Sequence, residues 1–257
     1  MTADLRAELP SRFILGMRTH SVSYESAIDR VIGWASARES RYVCFADTHM
    51  VIEAHDDEAF RRIVNGAGIT APDGVPLVWA LRLLGLPDAS RTCGPDATPR
   101  ILAAAQDSGI PVGFYGGTPE ALAELVRRCQ AQFPHLEIAY SCSPPFRAVS
   151  ADEDAQIVRD IAASGARILF VGLGCPKQER WMADHVERLP LVMLGVGAAF
   201  DFMAGTAPRA PVFMQRVGLE WLARLASNPQ RLWRRYLVQN PRFLTLFARQ
   251  FAALLRK

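Results

Sequence analysis

Residues 167–177, RILFVGLGCPK, place an unbroken run of Ile, Leu, Phe and Val before two closely spaced glycines and a proline. Such a run has the composition of a strand buried on both faces. Pro176 then suits the opening of a helix, because its fixed φ matches the first helical position. Working outward, strand-like runs recur at 41–46, 111–115, 136–140 and 190–196, each ending near Gly, Pro or Asp. Helical periodicity fills 23–38, 56–66, 75–85, 95–108, 119–132 and 151–164. Buried strands interleaved with helices specify a Rossmann-like α/β fold, a largely parallel sheet flanked by helices. Ligands in such sheets bind at the carboxyl ends of the strands.

The tail reads differently. After Asp201 only helix signals remain, and Asn228-Pro229 and Asn240-Pro241 each pair an N-cap residue with Pro at the next position. Three helices are expected, over 211–227, 229–239 and 241–256. This divides the chain into an α/β domain over 1–205 and an all-helical appendage over 206–257. The net charge of +3 divides unevenly between them. The appendage carries ten basic residues and one acid, Glu220, for a charge of +9, which leaves −6 on the rest. A basic segment of this kind points to an anionic partner: nucleic acid, a phosphorylated ligand or a membrane surface.

Composition excludes several classes. With 257 residues, 50% hydrophobic and 21% charged, and a mean hydropathy of +0.07, the chain is neither disordered nor fibrous. No uncharged run exceeds 12 residues, too short for a membrane-spanning helix. The opening MTADLRAELP does not read as a signal peptide. Five cysteines without a CxxC pair fit a reduced cytosolic protein.

Several motifs bear on chemistry. In 170–177 the glycines would let backbone N–H groups approach a ligand, and the helix start offers partial positive charge to a phosphate. An ordinary tight turn would explain the same glycines. The segment is not GxGxxG, and GxxxxGK[ST] is absent. Lys177, Gln178 and Glu179 crowd hydrogen-bonding side chains beside that turn. Asp73, between Pro72 and Gly74, falls at a strand end, although Asp-Gly is also a common turn. Arg91, eighteen residues on, could hold a phosphate or that aspartate. Asp152-Glu-Asp154 has DxD spacing but follows Ser150, where acids favour a helix start. The histidines show no metal spacing. Arg231, Arg234 and Arg235 share a helical face and make a phosphate cluster. Arg242, Arg249 and Arg256 recur every seven residues beside a separate stripe of Phe243, Phe247, Phe251 and Leu254, which suits a helix lying in a headgroup layer or one that packs its Phe stripe on the domain and solvates its arginines.

Together these segments resemble the WecG/TagA/CpsF glycosyltransferases, glycosyltransferase family 26. The resemblance runs from about Ile14 to Leu255. It is carried by APDGVPLVWALRLLG (71–85), VGFYGGTPE (112–120), VGLGCPKQERWM (171–182) and GVGAAFDFMAG (195–205). RAP (209–211), GLEWLARL (218–225) and PQRLWRRY (229–236) add to these, and THMVIEAHDDE (48–58) resembles the exopolysaccharide-assembly branch. The resemblance implies transfer of a sugar from a UDP-sugar, such as UDP-N-acetylmannosamine or a UDP-hexose, to a polyprenyl-diphosphate-linked sugar. It implies inversion, no metal and no cofactor, in cell-surface polysaccharide biosynthesis. Asp73 matches the family's catalytic Asp, Arg91 its Arg, and Gln178 its UDP-contacting Gln. Arg224, Arg231 and Arg234 match the tail arginines that close over the diphosphate. Asp47, Gly172, Gly174, Lys177 and Glu179 complete the expected substrate-binding set. Where many relatives carry Thr-x-Asn after the first strand, this chain has Phe45-Ala46-Asp47, which bears on sugar and acceptor identity.

The chemistry is consistent with that assignment. In-line attack by an acceptor hydroxyl needs one carboxylate as general base, worth about 10²–10⁴ in rate. A helix N-terminus and arginines can stabilise the charge on departing UDP. Near an anionic surface each basic residue contributes about 1 kcal/mol, so the tail can also bind membrane. The expected enzyme is cytoplasmic and peripheral on the inner face of the cell membrane. Its expected partners are the UDP-sugar, the lipid-linked acceptor and an anionic membrane surface, not nucleic acid; a homo-oligomer is compatible with the sequence. Competing classes are a basic nucleic-acid-binding or membrane-docking module without catalysis, and a nucleotide-dependent oxidoreductase.

Overall fold

The computed structural model describes residues 8–211, 214, 220–227 and 229–256, without the Arg231 side chain. The chain opens with an antiparallel hairpin, β1 (Ser11–Ile14) and β2 (Met17–His20), turned by Leu15 and Gly16 at φ +50° and +87°. Next come α1 (Tyr24–Ser36), β3 (Arg41–Ala46), α2 (Thr48–Asp56), α3 (Glu58–Asn65), β4 (Ile69–Pro72) and α4 (Val75–Leu83). The middle of the chain forms α5 (Gly94–Asp107), β5 (Val112–Gly116), α6 (Pro119–Gln132), β6 (Ile138–Cys142) and α7 (Ala151–Ser164). The α/β part closes with β7 (Ile168–Gly172), α8 (Lys177–His185), β8 (Val192–Gly195) and α9 (Ala199–Ala204).

Strands β3 to β8 form one six-stranded sheet in the order β4-β3-β8-β7-β5-β6, and every pairing is parallel. The expected α/β architecture is therefore the observed one. From β3 the chain steps outward to β4, crosses to β5 and β6, and returns through β7 to β8 beside β3. Helices α1, α5, α6 and α9 cover one face, where Phe114, Phe170 and Phe200 stack in the core. Helices α2, α3, α4, α7 and α8 cover the other. Burial on both faces is why the strands read as apolar runs rather than alternating ones.

Helix starts follow local capping chemistry. Ser23, Asp47, Asp57 and Thr118 each accept a backbone N–H of the turn that follows. Ser150 and Glu153 form a reciprocal capping box, so the 152–154 acids do sit in the first turn of α7. Asp154 also binds His185 and Arg188 at 2.8 and 2.7 Å.

From Glu220 the described part of the tail forms α10 (Glu220–Ser227), α11 (Pro229–Trp233), a π-helical segment Arg234–Gln239, and α12 (Asn240–Leu254), while 206–211 are irregular. Most of the stretch before Glu220 in the expected 211–227 helix lies outside the described residues. Helix α12 buries Phe243 and Phe247 in the same core cluster as Met50 and Leu77. Full burial of such side chains stabilises by roughly 1.5–3 kcal/mol each. Among the described residues no helix is long and apolar enough to cross a membrane.

Candidate active site

The carboxyl ends of β3 and β4 are adjacent, with Ala46 paired to Pro72. Each strand delivers an aspartate directly beyond that point, Asp47 from β3 and Asp73 from β4. The Asp73 backbone N–H donates to the Ala46 carbonyl at 2.8 Å, which holds the two strand ends together. Both carboxylates line a cavity of about 360 Å³ whose other walls are α4 and the tail. Trp79, Arg91, Glu220, Arg224, Arg235, Tyr236 and Asn240 face it.

Arg91 organises the base of this cavity. Its Nε donates to the Asp73 main-chain carbonyl, and its Nη2 donates to Asp73 Oδ1 at 3.1 Å and Glu220 Oε2 at 2.8 Å. Burial lifts the Asp73 carboxyl above the ordinary aspartate range, against the pull of Arg91. The negative charges of Asp47 and Glu220 lift it further, while Arg224 acts in the other direction. A carboxyl displaced in this sense is a better proton acceptor than a solvated aspartate.

Asp47 has the opposite environment. Burial raises it, but Arg235, His49 and the Met50 N–H together hold it at about 2. Arg235 Nη2 donates to Asp47 Oδ2, while the buried Arg235 Nε has no hydrogen-bond partner among the described residues. The next two residues also grip the tail. Thr48 Oγ1 donates to Asn240 Oδ1 at 2.5 Å, and His49 Nδ1 hydrogen-bonds Gln239 Oε1 at 2.8 Å.

The other residues singled out in the sequence are spread more widely. Arg224 lines the cavity, its guanidinium 5.6 Å from the centre of the Phe202 ring. Arg234 is exposed and lies over Trp233 at 5.3 Å. The Arg231 side chain lies outside the described residues. The glycine turn at the end of β7 is separate from the cavity walls. A Cβ on Gly172 would stand 2.7 Å from the Phe200 ring, so close packing alone requires that glycine. Gly174, at φ +79°, donates its N–H to Gln178 Oε1 at 3.0 Å. Gln178 Nε2 in turn donates to Glu179 Oε1 at 2.8 Å, and both side chains are buried. Lys177 is exposed. Burial raises Glu179 to about 7, and the negative charge of Asp47 adds to that rise. The glycine turn and the cavity are thus neighbours that feel each other's charges.

Among the cavity residues absent from the expected set are Glu220, Arg235 and Tyr236. Signals for them existed. Glu220 is the single acid in a tail with ten basic residues. Arg235 belongs to the three-arginine cluster, but the π-helical turn places it, rather than Arg234, at the cavity. π-Helical turns occur often at functional sites because the extra residue re-aims the side chains around it.

The glycosyltransferase WecG/TagA/CpsF family model matches residues 12–257. The chain belongs to this family. It is a glycosyltransferase, and the cavity between the strand ends and the tail is its candidate active site. An N-acetylglucosaminyldiphosphoundecaprenol N-acetyl-beta-D-mannosaminyltransferase from Bacillus spizizenii is 33% identical over 206 residues. That alignment covers 79% of this chain and 77% of the relative.

Proposed function

We propose that this glycosyltransferase moves N-acetylmannosamine from its UDP conjugate to N-acetylglucosamine linked to undecaprenyl diphosphate, with inversion and without a metal, in cell-surface polysaccharide synthesis. The observation that carries the reading is the Asp73 carboxyl at a strand end, raised by burial, inside a cavity that also holds three arginines. The named activity of the Bacillus spizizenii relative supports the choice of substrates.

In this mechanism the acceptor hydroxyl oxygen attacks the anomeric carbon of the donor sugar. Asp73 takes the hydroxyl proton, the bond from the anomeric carbon to the β-phosphate oxygen breaks, and UDP leaves. Attack opposite the leaving group inverts the anomeric centre. Arg224 and Arg235 face the departing diphosphate, and Arg235 Nε, which has no partner among the described residues, donates to a phosphate oxygen. Arg231 and Arg234 join them when the tail closes on substrate. Gly172, Gly174, Lys177, Gln178 and Glu179 form the nucleotide side of the site, and Asp47 sets the charge between the two sides.

Residues 1–205 thereby supply donor binding and the base, and 206–257 close the site and reach the membrane. The acceptor's lipid places the enzyme at the inner face of the cell membrane. A screen of UDP-sugars against a short polyprenyl-diphosphate-linked N-acetylglucosamine, with product read by mass, tests the reading. One added N-acetylhexosamine from UDP-N-acetylmannosamine alone is the expected result. Preference for another UDP-sugar would reassign the donor.

A further inference from the structure

Phe13, Trp79, Leu83 and Leu244 are each 55–56% exposed, large apolar side chains on three connected elements. Arg12 Nε of β1 donates to the Leu84 carbonyl beyond α4 at 2.9 Å. Gln250 of α12 clasps the same hairpin, donating to the Phe13 carbonyl and accepting the Leu15 N–H, both at 2.8 Å. The hairpin is therefore tied to α4 and α12 alike. Trp79 and Leu83 are four residues apart on α4 and share one face. Trp79 and Leu244 also line the cavity, so its apolar wall continues onto the outer surface.

Charge on these elements has one sign. The sequences of β1, α4 and α12 contain no Asp or Glu, while Arg12, Arg82 and Arg249 are exposed on them. An apolar face with an exposed Trp, on elements whose own charges are all positive although Arg242 of α12 is paired with Asp56 of α2, has the make-up of surfaces that sit in an anionic headgroup layer.

We infer that β1, α4 and α12 together form a lipid-docking surface that seats the cavity mouth on an anionic bilayer, so that membrane contact is made by the α/β part of the chain as well as by its tail. The inference rests on the membrane-bound acceptor proposed above. It adds that the lipid contacts the cavity rim itself, which lets the acceptor's diphosphate reach the arginines while its hydrocarbon stays in the bilayer.

Flotation of the full chain with phosphatidylglycerol–phosphatidylcholine vesicles provides the test. The Phe13→Gln/Leu83→Gln variant should partition at least about tenfold more weakly than wild type, the scale expected for losing two half-buried apolar contacts. Its turnover on a short, water-soluble acceptor should match wild type. If wild type itself does not float, the membrane reading fails and takes this inference with it. If wild type and variant float equally, only the inference is overturned. If the variant floats like wild type but loses self-association in sedimentation, the face joins copies of the chain, which also overturns it. Brominated lipid gives a readout on the unaltered fold. The fluorescence that Trp79→Phe removes should be quenched by brominated vesicles, and an unquenched signal overturns the docking surface.

Discussion

Arg91 holds Asp73 at two points, gripping the main-chain carbonyl through Nε and the carboxylate through Nη2 at 3.1 Å. The double hold fixes the direction of the carboxylate through Oδ1, and in the proposed mechanism Oδ2 is the atom that takes the substrate proton. The hold also offsets the repulsion of Asp47 and Glu220 on this half-buried aspartate.

Asp73→Asn should lower kcat at least about a hundredfold and leave UDP affinity near wild type, as expected for loss of a general base. Single-turnover kinetics with calorimetry of UDP binding separates the two effects. Turnover within a few-fold of wild type would remove Asp73 from the chemistry.

Asp47 adds to the rise of Asp73, so Asp47→Asn should move the acid limb of the rate profile to lower pH. The sign follows from losing a neighbouring negative charge and freeing the positive charge of Arg235. A pH profile of kcat checks it, and a limb moved upward would contradict the assignment of that limb to Asp73.

Glu179 is raised from 4.5 to about 7 in the folded chain. A group raised in this way contributes stability that is complete below the unfolded value and is lost as pH rises through 7. Glu179→Gln should therefore be more stable than wild type at pH 8, on the order of 2 kcal/mol, with little difference at pH 4. Urea midpoints across this range decide the matter.

Gln178→Ala should weaken UDP binding several-fold, the scale of about 0.5–1.5 kcal/mol for one hydrogen bond, and leave acceptor KM unchanged. The effect acts through Gly174, whose N–H loses its acceptor. Equal UDP affinity in the variant would show that the turn does not serve the donor.

Activity should survive EDTA, because in the proposed mechanism the guanidinium groups of the cavity take the role of a cation on the leaving diphosphate. Loss on chelation, restored by Mn²⁺ or Mg²⁺, would require a metal in the mechanism.

The fold was legible where apolar runs were long or helices well capped. The 41–46 run coincides with β3, and the 119–132 and 151–164 patterns coincide with α6 and α7. The β1–β2 hairpin was not legible, since two four-residue strands bearing Arg12 and Arg18 show no sustained alternation. Helix α9, six residues long, is too short for a 3.6-residue period to register. At the site, Asp73, Asp47, Arg91 and Arg224 were singled out and meet in one cavity. Arg235 was grouped with Arg231 and Arg234 as a phosphate cluster, but the resemblance put the diphosphate contacts on Arg224, Arg231 and Arg234, and of the three clustered arginines it is Arg235 whose side chain lines the cavity.

The links from Asp47, Thr48 and His49 to Arg235, Asn240 and Gln239 span 188, 192 and 190 residues. Contacts so distant in sequence are slow to form, because a long loop must close before they contribute. During synthesis from the N-terminus, the aspartates and Arg91 emerge long before Glu220, Arg224 and Arg235. A ribosome-bound chain can thus hold a finished sheet and still lack a binding cavity. On the proposed mechanism the enzyme stays inert until the segment from Glu220 to Leu244 is made and has docked, and a chain that stops before Glu220 keeps its sheet but lacks one wall of the cavity.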